Sequence, residues 1–156
     1  MTSAPEKKLS ELGLTLPPAA APIANYVPTV IVGDLLFVSG QISRGGDGTT
    51  ITGKLGAGVE IARGREAARL CALSILAQAK AALGSLDRID RIVKLTGFVN
   101  ATPAFVDHPQ VVNGASDLLV EVLGERGRHT RSAVGVAGLP LDAAVEVEAI
   151  IAIGKA

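Results

Sequence analysis

The chain has 156 residues, a length that suits one domain with a single core. Its 15 basic and 15 acidic side chains cancel, which argues against a general electrostatic hold on nucleic acid. One cysteine, Cys71, excludes an internal disulfide, and with only His108 and His129 to help it a Cys/His zinc site is poorly supplied. Hydrophobic residues make up 48% but aromatics only 3%, so the core must be built from Val, Ile, Leu and Ala. Residues 1–12 are polar and charged, unlike a signal peptide, and no apolar run is long enough to span a membrane. The expectation is a soluble, cytoplasmic protein.

In chain order, residues 4–13 read as a short helix closed by Gly13. Residues 15–28 are rich in Pro and Ala and read as an extended arm lying over the domain. The domain thus runs 1–156, with residues 1–25 as helix and arm. Two short strands follow, 29–32 and 35–39, joined at Gly33-Asp34 as a two-residue hairpin. Residues 41–58 form a glycine-rich loop, expected to be mobile. Its Leu55-Gly56-Ala57-Gly58 piece precedes a helix but lacks the full pattern of a phosphate loop. Residues 60–83 are the longest helix candidate. Ala68, Cys71, Ala72, Ile75, Ala79 and Leu83 follow one buried face, with Arg63, Glu66, Arg69 and Gln78 on the rest and Gly84 as the cap. Residues 92–100 read as a strand. A second helix starts at Thr102 or Asp107 and buries Val111, Val112, Ala115, Leu118, Leu119 and Val122 before ending at Gly124. His108 and His129 lack ligand spacing and flank loops, so they read as solvated, and the basic run Arg126, Arg128, Arg131 reads as a solvated turn, since no stacking aromatics accompany it.

Residues 130–153 carry the most information. TRSAVGVAGLP and LDAAVEVEAIIAI read as two strands joined by a turn near Gly138-Leu139-Pro140, which makes them neighbours. Alternation puts Glu146 and Glu148 on one face and Val145, Val147, Ala149, Ile151 and Ile153 on the other. Carboxylates in such apolar company need a partner or water. Arg131 is the obvious partner, either as a structural ion pair or as the fork that binds a small carboxylate. The element order ββαβαββ lets two helices cover one face of a mixed sheet. The other face is half apolar, and an oligomer is expected to cover it.

The same stretch resembles the C-terminal signature of the Rid family, the YjgF-type reactive-intermediate deaminases also called L-PSP endoribonuclease-like. The likeness continues upstream in NYVPTV and LLFVSGQI, and covers residues 26–153. It implies a chorismate-mutase-like α+β fold of one mixed sheet with two helices on one face. It also implies a homotrimer with ligand sites between subunits. By position it implies Arg131 as the carboxylate-binding residue and Glu146 as the group that handles a hydrolytic water, with Tyr26, Ser39 and Asn113 contacting substrate. Glu148 matches a glutamate common in the family, and a structural role is expected for it. The family often has Cys two residues past the arginine, where this chain has Ala133, and His129-Thr130 replace the usual Pro-Ala. The implied reaction is hydrolysis of imine or enamine acids of the 2-aminoacrylate and 2-iminopropionate type to 2-keto acids and ammonia. It needs no metal or cofactor. The competing reading is a protein that binds or senses small carboxylates without turnover. RNA cleavage follows only from the older family label.

Overall fold

The computed structural model describes residues 2–21 and 23–154. Helix α1, Ala4–Glu11, opens on a capping box: the Ser3 side chain accepts from the Glu6 amide, and the Glu6 carboxylate accepts from the Ser3 amide. Glu6 also pairs with Lys80. The Lys80 ammonium, then the Ser3 donors, hold the Glu6 carboxyl down at about 2. A depressed carboxyl stabilises the folded state above its unfolded value, and that contribution fades as pH falls toward 2.

Strands β1 (Thr29–Val32) and β2 (Leu35–Ile42) form the expected hairpin, with Val32 opposite Leu35 and Gly33 at φ 60° in the turn. Two two-residue strands, β3 (Lys54–Leu55) and β4 (Gly58–Val59), sit apart from the main sheet. Then come α2 (Ile61–Leu83), β5 (Ile89–Asn100), α3 (His108–Leu123), β6 (Thr130–Val136) and β7 (Val145–Ile153). Gly84, at φ 79°, ends α2 as read from the sequence.

The main sheet has the order β1-β2-β7-β5-β6. It is antiparallel except where β5 and β6 run parallel. This corrects the sequence reading that β6 and β7 are neighbours. A parallel pair needs a crossover, which α3 supplies between β5 and β6. Strand β7 then inserts between β2 and β5, so β5 separates it from β6.

Register decides the faces. Val145, Val147, Ala149 and Ile151 are buried on the side of the helices, together with Leu36, Val38, Ile92, Leu95 and Val99. Ala67, Ala68, Cys71, Ala72, Ile75 and Ala79 of α2 join this core, as do Val111, Val112, Ala115, Leu118 and Leu119 of α3. The opposite face carries Val30, Phe37, Phe98, Val134, Glu146 and Glu148, and Val30, Phe37 and Val134 are exposed. No described helix is long and apolar enough to cross a membrane.

Helices α2 and α3 meet without side chains between them at one point. A methyl placed on Gly114 would overlap the Arg65 carbonyl. Arg65 then bridges across α3, from the Gln110 carbonyl (3.1 Å) to the Asp117 carboxylate (2.9 Å).

The glycine-rich segment is only partly the mobile loop expected. Ile51 and Leu55 are buried and pin it to the core, which composition alone could not reveal. The Ile51 amide donates to the Ser43 carbonyl, and the Gly53 amide to the Asp142 carbonyl. Hydrogen exchange should find both amides protected to nearly the level of α2, while the amides of Gly46 and Asp47 exchange freely. Equal exchange along the whole segment would mean that the Ile51 and Leu55 anchors do not hold.

Candidate functional site

Two groups of side chains emerge, on either side of the sheet. The first lies where β2 runs on past β1, still paired with β7. Register slips between Val38 and Gln41, so Ser39 and Gly40 bulge opposite Glu148. Glu146 extends from β7 over this bulge, and any side chain at Gly40 would collide with its carboxylate. A side chain at this position would therefore make the Glu146 carboxylate swing aside, so glycine is what lets the carboxylate lie over the bulge. Burial pushes the Glu146 carboxyl above its ordinary value, and the negative charge of Glu148 on the same face adds to the shift.

Glu146 forms part of the wall of a cleft of about 580 Å³. The far wall is the N-terminal arm, including Pro17, Ala21 and Tyr26, and the rim includes Arg44 and Leu141. The arm is fastened down. Gln78, on α2 and only 3% exposed, donates to the Ala20 carbonyl at 2.9 Å. The Ser39 hydroxyl donates to the Val27 carbonyl at 2.8 Å, and the Ser39 amide to the Pro28 carbonyl. Ser39 thus faces the arm and holds it in place beside Tyr26.

The second group is built on α3 and β6. Arg131 lies in register with the buried Leu95, so its side chain turns toward α3 and away from the face of Glu146. Its Nη1 donates to Asn113 Oδ1 (2.8 Å) and Ser116 Oγ (3.1 Å), and its Nη2 to the Pro109 carbonyl (3.4 Å). This corrects the expectation that Arg131 pairs with Glu146 or Glu148 within the chain: it sits on the far edge strand and faces the other way. Asn113, expected at the site, is indeed beside Arg131.

The chain of contacts runs on to His129, which is half-buried and not solvated as expected. Its Nδ1 lies 2.6 Å from the Gly127 carbonyl and its Nε2 2.9 Å from Ser116 Oγ. A carbonyl only accepts, so Nδ1 carries the proton and Nε2 accepts from the Ser116 hydroxyl. Burial pushes the imidazole below its ordinary value, and the Arg131 charge works in the same direction, against the Gly127 contact. The imidazole is thereby kept neutral beside the guanidinium.

His108 also departs from the sequence reading. It packs edge-on against Phe105, with ring centroids 5.4 Å apart. Together they border a smaller cleft of about 440 Å³ beside Lys54, whose Nζ reaches Asn100 Oδ1 at 2.6 Å and the Ala137 carbonyl. Arg126 and Arg128 do not form a basic patch with Arg131: one donates to the Ile89 carbonyl, the other pairs with Glu125.

Ser116 and Arg44 were not singled out in the sequence, and Gln78, set there on the side of α2 away from the buried face, is in fact buried. Ser116 had a signal, since it stands three residues after Asn113 on one helix face. Gln78 had none: its partner Ala20 is 58 residues away. Arg44 was hidden among the glycines.

Comparison with known proteins gives a consistent result. The family model described as "YjgF/chorismate mutase-like, putative endoribonuclease" matches residues 6–152. The chain is 53% identical over 144 residues to Protein TCP17 of Trypanosoma cruzi, covering 92% of this chain and 90% of that protein. The crystal structure of a protein of unknown function from Agrobacterium tumefaciens superposes with a TM-score of 0.90 at 51% identity, over 97% of this chain and 94% of that one. E. coli TdcF, solved with bound serine, superposes with a TM-score of 0.61 at 27% identity, over 90% and 94% of the two chains.

Proposed function

This chain belongs to the YjgF/chorismate-mutase-like family, and from that premise we propose that it hydrolyses reactive imine or enamine acids of the 2-aminoacrylate and 2-iminopropionate type to 2-keto acids and ammonia. The observation that carries this reading is the Glu146 carboxylate, seated over Gly40 in the wall of a cleft of about 580 Å³, with its pKa raised by burial and by the Glu148 charge. A carboxylate with a raised pKa is a better base for water than an ordinary one. It takes a proton as the water oxygen bonds to the imine carbon. It gives that proton to the imine nitrogen to form a carbinolamine, then takes the carbinolamine hydroxyl proton and passes it to nitrogen as the carbonyl forms, the carbon–nitrogen bond breaks and ammonia leaves.

The substrate carboxylate needs a cation. Within one copy Arg131 and Asn113 stand on the far side of the sheet from Glu146. In the proposed homotrimer, the Arg131 and Asn113 of one copy complete the Glu146 cleft of the next. The exposed apolar face bearing Val30, Phe37 and Val134 supports assembly. The serine bound to TdcF, a small molecule with a carboxylate, supports a ligand of that class.

A second reading, a carboxylate-binding protein without turnover, is favoured by one observation. The donors of Arg131 are engaged with the neutral acceptors Asn113, Ser116 and the Pro109 carbonyl, which a ligand must displace or share.

The test generates imino acids in situ from several amino acids and follows their capture as semicarbazones. The protein is expected to lower the captured amount and release keto acid faster than water alone. Arg131→Lys keeps the charge but loses the planar fork, so activity should fall sharply with little change in stability. Binding of keto acids through Arg131 without any turnover would select the second reading. A monomer at micromolar concentration in sedimentation would remove the inter-copy site.

A further inference from the structure

The cleft beside Glu146 is large for the smallest imino acids. Clefts of about 300–1,000 Å³ bury drug-sized ligands. At about 580 Å³ this one leaves most of its space unfilled by an acid whose side chain is a methyl group. Its lining is mostly apolar beyond the bulge: Pro17, Pro18, Ala21, Ile23, Ile42 and Leu141.

Two of these side chains are held in water at the rim. Ile23 is 94% exposed and Leu141 69% exposed. Leu141 is there at a conformational cost. It and Asp142 both adopt left-handed backbone, at φ 56° and 55°, where branched side chains are rarely found. The turn is held through Asp142, next to Leu141: the Asn100 side chain donates to the Asp142 carboxylate at 3.1 Å, and the Gly53 amide to the Asp142 carbonyl at 2.9 Å. Strain that surrounding structure enforces at the mouth of a cleft points to use of the residue held there. The opposite rim is equally prepared, because Gln78 and Ser39 fasten the arm.

We propose that the cleft selects 2-imino acids, and their 2-keto products, that carry a large apolar side chain, branched aliphatic or aromatic, and that Leu141 and Ile23 close on that side chain. This rests on the reading of the cleft as the imine site and names the substrate class it takes. Burial of ligand and of both rim residues together removes apolar surface from water that a single copy leaves exposed. Of the charged members of the lining, Glu146 remains for the reacting end, while Arg44 stands at the rim.

The experiment compares imines generated from alanine, leucine and phenylalanine by an amino acid oxidase, and in parallel measures calorimetric binding of pyruvate, 4-methyl-2-oxopentanoate and 2-oxoglutarate. Hydrolysis of the leucine- and phenylalanine-derived imines should exceed that of the alanine-derived imine at least tenfold in kcat/KM, a range one hydrophobic pocket achieves. Binding should follow the same order. Leu141→Gly relieves the backbone strain while removing the side chain, so it folds at least as well as the wild type. It should compress the large-to-small ratio about tenfold, and Ile23→Ala should do so independently. Equal ratios in wild type and both variants would overturn the proposal, as would preferential binding of 2-oxoglutarate, which would assign the distal end of the cleft to Arg44. If no imine is hydrolysed but 4-methyl-2-oxopentanoate binds best and Leu141→Gly weakens it, the catalytic reading fails and the ligand class stands.

Discussion

For the hydrolysis proposed above, Glu146→Gln is expected to lower the rate by roughly 10²–10⁴-fold, the range for loss of a positioned acid–base group, while the protein stays folded. Gln keeps the shape that lies over Gly40 but cannot take a proton from water. The pH dependence separates this from a packing effect. Burial, then the Glu148 charge, raises the Glu146 carboxyl, so wild-type activity should fall on acidification at a higher pH than an unshifted carboxylate would give. Glu148→Gln removes the second cause and should move that limb to lower pH. Stability runs in the opposite sense. A carboxyl raised in the folded state favours folding when protonated, and that contribution is lost as pH rises through its folded value. Glu146→Gln is neutral throughout, so it should melt higher than wild type near neutral pH and converge with it in acid. A variant that retains full turnover would remove Glu146 from the mechanism.

The largest effect on stability is expected at Gly114. Its Cα lies against the Arg65 backbone, so Gly114→Ala drives a methyl into a carbonyl that no rotamer change can move. Helix propensity favours Ala by about 1 kcal/mol. Overpacking of a rigid contact costs about 1–3 kcal/mol and occasionally more, and here the neighbour is backbone, which places the cost at or beyond the upper end. The clash wins, for a net loss of about 2 kcal/mol or more, or roughly 4–8 °C in melting temperature for a chain of this size. Gly138→Ala, with nothing within 4 Å of the new methyl and an ordinary φ, should be close to neutral. The function should suffer with the packing. Asn113 and Ser116 flank Gly114 on α3, and both accept from Arg131. Displacing α3 therefore tilts the guanidinium, and keto-acid binding should weaken in the surviving folded protein. Unchanged melting would show that α2 and α3 can separate freely at this point.

What could be read from the sequence follows from how local each signal is. The β1–β2 hairpin and α2 were legible because Gly33-Asp34 and the spacing Ala68, Cys71, Ala72, Ile75, Ala79 encode short-range geometry. The faces of β7 were legible for the same reason, since alternation alone separates Glu146 from Val147. The partner of Arg131 was not. Which face it takes depends on its register against β5, and which strand it neighbours depends on where β7 inserts, neither of which is local. The glycine-rich segment misled because its two anchors, Ile51 and Leu55, are outnumbered by residues that say loop. The arm's role in the cleft was hidden because its fastening, Gln78 to Ala20, joins distant parts of the chain.

Cys71 lies fully buried on α2, its thiol directed at the Val145 carbonyl 3.5 Å away. Burial, and secondarily the Glu146 charge across the strand, push the thiol above its ordinary value, so the reactive thiolate is suppressed while α2 stays on the sheet. A thiol reagent in solution then meets Cys71 only when α2 lifts away. Where closing outpaces reaction, the labelling rate reports the equilibrium between closed and open states. Where the reagent wins, it reports the opening rate itself. The single cysteine therefore works as an internal clock for the helix that also holds the arm.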